Sequence, residues 1–150
     1  MEKSQNFLTK AITIAMEAHK DQYDKYGQPY IGHVFRVMQQ GRTDDEKALG
    51  VLHDVVEDTS WTFEALEQEG IPLHIINALR CITKLSEDED YDHFVARTLQ
   101  NRLASIVKLY DLTDNMDIRR MPEIQEKDLT RLNKYLRAYR QISAAVILEK

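Results

Sequence analysis

The residues best suited to chemistry lie together in the segment Leu52–Thr59, which reads LHDVVEDT. Its ionisable side chains are His53, Asp54, Glu57 and Asp58. In an α-helix, at 100° per residue, they would spread over roughly 140° of one face. Carboxylates and an imidazole crowded together need a cation to join them, and His with Asp suits a divalent ion such as manganese, iron or zinc. The alternative interpretation is a solvent-facing acidic helix end that contains a histidine by chance.

Two residues outside this segment could complete a metal site. His33 follows the helix-breaking segment Gly27–Pro29, although a single histidine at the start of an apolar helix is more often structural than a ligand. Asp111 lies inside the apolar segment 106–116, where a carboxylate is costly to bury without a partner. That partner could be a metal ion or Lys108, three residues earlier. The other histidines are interpreted as structural or surface residues: His19, His74 and His93.

The elements that must position these side chains are predicted to be helices. Apolar residues recur at three- and four-residue spacing, and no segment shows the two-residue alternation of a strand. The predicted helices cover residues 4–20, 31–41, 43–56, 62–68, 72–85, 94–99, 103–116 and a last one of about twenty residues marked by Leu129, Leu132, Leu136 and Ile142. Thr43–Glu46 has the pattern of a capping box, and the acidic run Glu87–Asp90 is predicted to be a solvated loop. The fold class is therefore all-α.

Length and composition limit the protein classes. The 150 residues suit one domain, with enough apolar surface to fold without a disulfide or a metal. No apolar run is long enough to span a membrane, the first ten residues lack a signal-peptide core, and Cys81 is the one cysteine, so a cytoplasmic protein is expected. The net charge of −5 argues against general nucleic-acid binding but not against a small anionic substrate.

Three motifs in order carry a family resemblance: Gly27–His33, Leu52–Thr59, and Val107–Asp111 followed by Asn115 and Met116. They resemble the HD-domain metal-dependent phosphohydrolases, and more closely the hydrolase half of the RelA/SpoT family and its stand-alone small alarmone hydrolases. The resemblance implies an HD-domain helical bundle over residues 1–150, without the synthetase domain of the bifunctional enzymes. Hydrolysis of the alarmone, and not its synthesis, is the activity implied.

The resemblance also implies roles for individual residues. One manganese ion would be held by His33, His53, Asp54 and Asp111, while Glu57 and Asp58 would activate or orient the attacking water. The substrate implied is guanosine tetra- or pentaphosphate, (p)ppGpp, which loses its 3′-pyrophosphate. Substrate contacts would come from Lys25, Asn115, Arg131 and Tyr135, although Arg131 and the nearby Lys134 fit a solvated helix face equally well.

Four positions depart from the family pattern and leave the substrate open. A basic residue is usual at Asp24 and at Leu112, a histidine at Asp114, and a threonine at Ile118. Another nucleotide, such as a nucleoside monophosphate or NADPH, is therefore an alternative substrate. A non-catalytic metal or alarmone sensor is the second alternative, against which Glu57 and Asp58 speak because a pure binder needs no water-activating pair.

Overall fold

The computed structural model describes residues 6–148 as a bundle of nine α-helices and one short 3-10 helix, with no strand in that range. The helices are α1 Phe7–Ala18, α2 Ile31–Gln39, α3 Asp44–Leu52, α4 Val55–Asp58, α5 Phe63–Gln68, α6 Leu73–Ile82, α7 Tyr91–Thr98, α8 Arg102–Asn115, the 3-10 helix Ile118–Arg120 and α9 Glu126–Leu148. The predicted all-α class is confirmed. Within the described range, no helix combines the length and apolarity needed to cross a bilayer.

Helix α8 is the central element of the bundle. It packs against α2, α3, α6, α7 and α9. On one side it contributes Val107 to a large apolar core shared with α1–α6, and on the other it contributes Leu112 to a smaller cluster with Ala138 and Ile142 of α9. α8 therefore lies between the two apolar clusters. Its polar residues can meet side chains from helices that are far apart in the sequence.

The close approach of α2 and α3 depends on a glycine. A Cβ added at Gly50 would lie 3.2 Å from the Cα of Met38 on α2. This is tighter than ordinary van der Waals contact, and the two nearest atoms belong to the backbone of Met38. The absence of a side chain at Gly50 therefore lets α3, which ends just before His53, approach α2, which carries His33.

Caps define the predicted starts of α3 and α5. The Thr43 hydroxyl accepts from the N–H of Glu46, as the capping box requires, and the Thr62 hydroxyl accepts from the N–H of Ala65. The Glu46 carboxylate reaches back to the N–H of Arg42 instead of that of Thr43. The predicted capping box thus forms, with its return bond shifted by one residue.

The predicted helix 43–56 is divided in the structure. α3 ends at Leu52, and His53 and Asp54 form a turn before α4. The His53 Nδ1 lies 2.6 Å from the carbonyl of Gly50, which a continued helix would offer to the N–H of Asp54. This side-chain bond competes with the helical bond and accounts for the break.

Three other expectations are wrong in detail. The acidic run is not entirely solvated, because the Glu89 side chain is only 4% exposed and bonds to Arg97. α6 ends at Ile82, so Leu85 is 71% exposed and does not extend its apolar face. On α9, Leu129 and Leu136 are also exposed, because Ala138 and Ile142 are the residues that face α8.

Candidate metal centre and adjoining cavity

Three elements bring the predicted metal ligands together. His33 comes from the first turn of α2, His53 and Asp54 from the turn between α3 and α4, and Asp111 from the last turn of α8. The packing of α2, α3 and α8 on one another places them at one point. We call these four residues the His/Asp cluster.

The distances within the His/Asp cluster are those of groups that share one small space. His33 Nε2 lies 3.1 Å from Asp111 Oδ1 and 3.8 Å from Asp54 Oδ2. His53 Nε2 lies 2.9 Å from Asp54 Oδ2 and 3.3 Å from Asp111 Oδ1. Each of the two ring nitrogens therefore lies within 4 Å of an oxygen of both carboxylates.

Hydrogen bonds at the far side of each ring determine which nitrogen faces the cluster. His53 Nδ1 must donate, because its partner is the carbonyl of Gly50 at 2.6 Å. His33 Nδ1 lies 2.6 Å from the buried carboxylate of Asp114, which likewise accepts. In the neutral rings, both Nε2 atoms then carry a lone pair, and His53 Nε2 is buried without a hydrogen-bond partner among the described residues. Lone pairs converging with two carboxylates form a donor set that fits a divalent metal ion.

The pKa values in the His/Asp cluster also indicate that its two carboxylates require a positive charge beside them. Burial lowers the pKa of His53, but Asp54 and Asp111 outweigh this effect and hold that pKa well above its ordinary value. Burial acts to raise the pKa of Asp54, but the interaction with His53 outweighs this effect and lowers that pKa to about 2. In the absence of a metal, protons on the imidazoles would supply the charge, so metal binding is coupled to proton release.

Asp111 has two further partners that hold its orientation. Lys108 Nζ donates to its Oδ2 at 2.9 Å, and Asn115 Nδ2 donates to its Oδ1 at 3.0 Å. The ion pair with Lys108, the alternative explanation for a buried Asp111, is therefore present as well. It engages one carboxylate oxygen and leaves the other facing the two histidines.

Glu57 and Asp58 lie beside the cluster on α4. Glu57 Oε1 accepts from the N–H of Lys84 at 3.0 Å, which ties α4 to the segment after α6. Burial, together with the neighbouring charges of Asp54 and Glu57, raises the pKa of Asp58 to about 6. A carboxylate with a pKa near neutrality can accept and return a proton under ordinary conditions.

Two neighbouring cavities that share lining residues adjoin the cluster. The inner cavity, of about 280 Å³, is lined by the His/Asp cluster, Glu57 and Asp58, and also by Lys84 and Lys134. The side cavity, of about 350 Å³, is lined by Lys25, Arg120 and Arg131 and by several tyrosines. The residues common to both are Tyr30, His33, Asn115 and Tyr135.

The residues predicted to contact substrate all line these cavities. Asn115 and Tyr135 lie between the two, and Lys25 and Arg131 line the side cavity. Arg131 is not simply solvated, because its Nη2 donates to Asp128 at 2.8 Å and its side chain is partly buried.

Of the four positions that depart from the family pattern, only Asp24 lines the side cavity. Leu112 is fully buried in the apolar cluster with α9, and Asp114 bonds to His33. Ile118 is half exposed on the 3-10 helix and lines neither cavity.

Sequence reasoning missed two residues of this region. In the sequence Asp114 is only a departure from the family pattern, whereas in the structure it is 5% exposed, contacts His33 and accepts from Arg36 Nε at 2.7 Å. Arg120 was not singled out, although it donates to the carbonyl of Asp114 and lines the side cavity. The sequence signal for Asp114 is a second acidic residue, three positions after Asp111, in the same predicted apolar helix. No feature of the sequence pattern marks Arg120.

Comparison with known proteins gives relatives of one kind. No protein-family model matches the chain. The chloroplastic RSH1 of Oryza sativa subsp. japonica, whose name refers to GTP diphosphokinase activity, is 35% identical over 133 residues, or 74% of this chain and 15% of the relative. A guanosine-3′,5′-bis(diphosphate) 3′-pyrophosphohydrolase of Haemophilus influenzae is 30% identical over 116 residues, or 69% of this chain and 17% of the relative. The chain thus spans about one sixth of the length of these relatives.

A solved structure supports the fold. It is described as a metazoan ortholog of SpoT that hydrolyzes ppGpp, with a TM-score of 0.74 and 20% identity over 97% of this chain and 94% of that chain. At this identity the likeness concerns the fold. Taken with the sequence similarity and the geometry of the His/Asp cluster, it identifies the chain as an HD-domain protein of the RelA/SpoT type.

Proposed function

We propose that the chain is a manganese-dependent hydrolase that removes pyrophosphate from the 3′ position of (p)ppGpp. The observation that carries this proposal is the pair of neighbouring cavities with shared walls, in which the His/Asp cluster lies next to a second cavity with its own cations. The named relatives include a 3′-pyrophosphohydrolase of guanosine-3′,5′-bis(diphosphate), a nucleotide with two separate diphosphate groups. Such a substrate needs two anion-binding regions, and the two cavities supply them.

His33, His53, Asp54 and Asp111 would hold the ion. When bound, a divalent ion polarises a phosphoryl oxygen and lowers the pKa of water. Mixed imidazole and carboxylate donors suit manganese, which prefers harder ligands than zinc or copper. Lys84 and Lys134, at the wall of the inner cavity, would neutralise the departing pyrophosphate.

Asp58, assisted by Glu57, would take the proton of the attacking water. In the reaction, a water oxygen bonds to the 3′-linked phosphorus, and the bond from that phosphorus to the ribose 3′-oxygen breaks. The proton held by Asp58 passes to the ribose oxygen, so the products are a guanosine nucleotide with a 3′-hydroxyl and pyrophosphate. A raised pKa for Asp58 supports both halves of this transfer.

The remainder of the nucleotide would occupy the side cavity. Asn115 and Tyr135 lie between the two cavities and would contact the ribose, whereas Lys25 and Arg131 would pair with phosphate. We further propose the cytoplasm as the compartment, since Cys81 is a free thiol, and a small nucleotide as the partner. Cell fractionation followed by immunodetection tests the compartment.

Incubation of the Mn²⁺-loaded chain with a nucleotide panel tests the proposed substrate. The panel contains ppGpp, GTP, a nucleoside 5′-monophosphate and NADPH, with products separated by ion-exchange chromatography. The expected result is conversion of ppGpp to GDP and pyrophosphate. His53→Ala should abolish this conversion and the bound Mn²⁺ together, while His93→Ala on the exposed face of α7 should retain both. Turnover of the monophosphate or NADPH without turnover of ppGpp would reject the alarmone assignment.

A further inference from the structure

The side chain of Tyr30 lies beside the His/Asp cluster, and the hydrolytic mechanism does not use its hydroxyl. Tyr30 immediately precedes α2 and lines both cavities. Its hydroxyl donates to Asp54 Oδ2. That oxygen lies 2.9 Å from His53 Nε2 and 3.8 Å from His33 Nε2. Tyr30 therefore bonds to the oxygen of Asp54 that the two histidines approach.

The backbone and the ring of Tyr30 are fixed as well. Its N–H donates to the carbonyl of Gln22 at 2.9 Å, and its carbonyl accepts from the N–H of His33 at 3.0 Å. Its ring packs at a tilt against the ring of His19, with the two centroids 5.3 Å apart, and His19 is 1% exposed. The position of the hydroxyl is thus determined by the loop after α1 and by the first turn of α2.

Gln22 joins the same loop to α4, the one-turn helix that carries Glu57 and Asp58. Its side-chain Nε2 donates to the carbonyl of Asp58 at 3.1 Å. A helix of four residues has little stability of its own, and the carbonyls at its end lack partners within the helix. The bond from Gln22 supplies one such partner and holds the end of α4 against the loop.

His19 determines the orientation of the Gln22 amide. Because the amide nitrogen faces the carbonyl of Asp58, the amide oxygen faces His19 Nδ1, 2.8 Å away, and the ring nitrogen must donate. The backbone N–H of Gln22 also donates to the carbonyl of His19 at 3.1 Å, so two bonds join these residues. His19 is therefore a structural residue whose buried ring orients Gln22.

The two polar side chains of this loop act on different parts of the site. Tyr30 contacts a predicted metal ligand, whereas Gln22 contacts the helix of the proposed water-activating pair. We propose that both are positioning residues: Tyr30 orients Asp54 toward the ion, and Gln22 holds α4 so that Asp58 faces the inner cavity. This inference rests on the proposed function, because it names the residues that arrange its ligand and its base.

Tyr30→Phe removes a single oxygen atom and tests the first half of the inference without hydrolysis. Calorimetric titration of the metal-free variant with Mn²⁺ should give a dissociation constant about 10-fold above that of the wild type, because the ligating carboxylate loses its hydrogen bond. At saturating Mn²⁺, kcat and KM for ppGpp should stay within about twofold of the wild-type values. Tyr139→Phe, on α9 and lining neither cavity, is the matched control and should bind Mn²⁺ as the wild type does.

Gln22→Met tests the second half, since it keeps the length of the side chain but removes both of its hydrogen bonds. We expect unchanged Mn²⁺ affinity and unchanged KM, with kcat at saturating Mn²⁺ lower by about 10- to 100-fold because the proposed base is misplaced. Hydrogen exchange at the amides of α4, measured by mass spectrometry on the metal-free protein, should be faster than in the wild type. Gln68→Met, exposed on α5, is the control.

A second variant separates the contact with α4 from the contact with His19. Gln22→Glu keeps an oxygen for the His19 ring but offers no donor to the carbonyl of Asp58, so it should show the same lower kcat and faster exchange of α4. Circular dichroism melts establish that each variant is folded.

Three results would overturn the inference. They are an unchanged Mn²⁺ dissociation constant in Tyr30→Phe, wild-type exchange of α4 in both Gln22 variants, and equal losses of Mn²⁺ affinity and kcat in every variant, which would indicate general destabilisation. A wild-type chain that does not hydrolyse ppGpp, but binds Mn²⁺ more tightly than Tyr30→Phe does, would instead reject the proposed function and retain Tyr30 as a positioning residue of the metal centre.

Discussion

Each histidine of the His/Asp cluster has one ring nitrogen bonded to a fixed acceptor. For His53 the acceptor is a backbone carbonyl that belongs to the helix end, and for His33 it is the carboxylate of Asp114. Asp114 is itself held by Arg36 and Arg120, so its charge is balanced and its position fixed. At the scale of single residues, the geometry of the centre therefore depends on a residue that would not touch the ion.

Replacement of Asp114 tests this dependence. Asp114→Asn keeps the shape of the side chain but removes the charge that orients His33, and we expect Mn²⁺ affinity to fall about 10-fold or more. Calorimetric titration of the metal-free protein with Mn²⁺ measures the change. Asp92→Asn, which alters an exposed carboxylate on α7, should bind Mn²⁺ as the wild type does. An unchanged dissociation constant in Asp114→Asn would remove the carboxylate from the account of the centre.

Variants of Glu57 and Asp58 distinguish the activation of water from the binding of the metal. Asp58→Asn and Glu57→Gln remove the groups proposed to handle the water proton, so we expect kcat to fall about 100- to 10,000-fold. Metal content, measured by atomic absorption, should stay at the wild-type level because neither side chain belongs to the His/Asp cluster. Glu67→Gln, exposed on α5, serves as the control. Loss of metal together with activity would instead make these residues ligands, and full activity would exclude them from the mechanism.

The helices were largely predictable, but their ends at the site were not. The capping box at Thr43 marks a helix start in the sequence, and the structure has this cap. The break after Leu52 was missed because it depends on a bond from the His53 ring to the backbone, which apolar periodicity does not reveal. The order of His33, His53, Asp54 and Asp111 indicated the cluster. Arg120 could not be predicted, because its partners Asp24 and Asp114 come from different elements.

The segment between α6 and α7 should give a measurable pH dependence. Arg97, the Leu85 N–H and His93 lower the pKa of Glu89 from 4.5 to about 2. Because the Glu89 carboxyl has a lower pKa in the folded chain than in the unfolded chain, its interactions stabilise the fold above pH 4.5. This contribution is lost as the pH falls through about 2 and the carboxylate takes up a proton. Glu89→Gln should therefore cost about 1–2 kcal/mol of unfolding free energy at neutral pH, and less as acid is added.

Urea unfolding of wild type and Glu89→Gln between pH 2 and 7 measures this difference. Glu87→Gln, in the same segment but exposed, should show no such effect at any pH. A difference between Glu89→Gln and wild type that stays constant from pH 7 to pH 2 would show that the ion pair with Arg97 is not its source.

Across the whole molecule the net charge is −5, but cations line both cavities. Lys84 and Lys134 line the inner cavity, and Lys25, Arg120 and Arg131 line the side cavity. The inner cavity also holds the carboxylates of Asp54, Glu57, Asp58 and Asp111, so we expect its attraction for anions to depend on the lysines together with a bound metal ion.

Removal of the metal should lower stability without unfolding the chain. A ligand present at a hundredfold excess over its dissociation constant stabilises the native state by about 2.7 kcal/mol. For a domain of this size the loss corresponds to a fall of about 5–10 °C in Tm. Circular dichroism melts with and without EDTA, followed by Mn²⁺ re-addition, measure the shift. A chain that is unstructured in EDTA would contradict the expectation that its apolar core is sufficient for folding.

The most direct test of the account is a titration of metal-free protein with Mn²⁺ in the presence of ppGpp. Pyrophosphate release is followed enzymatically, and bound Mn²⁺ is counted in parallel samples. We expect release to rise in proportion to occupancy and to saturate at one ion per chain, with GDP as the nucleotide product. A chain that holds one Mn²⁺ and releases no pyrophosphate from ppGpp, or that releases it equally without metal, would show that the His/Asp cluster is not a metal centre for this hydrolysis.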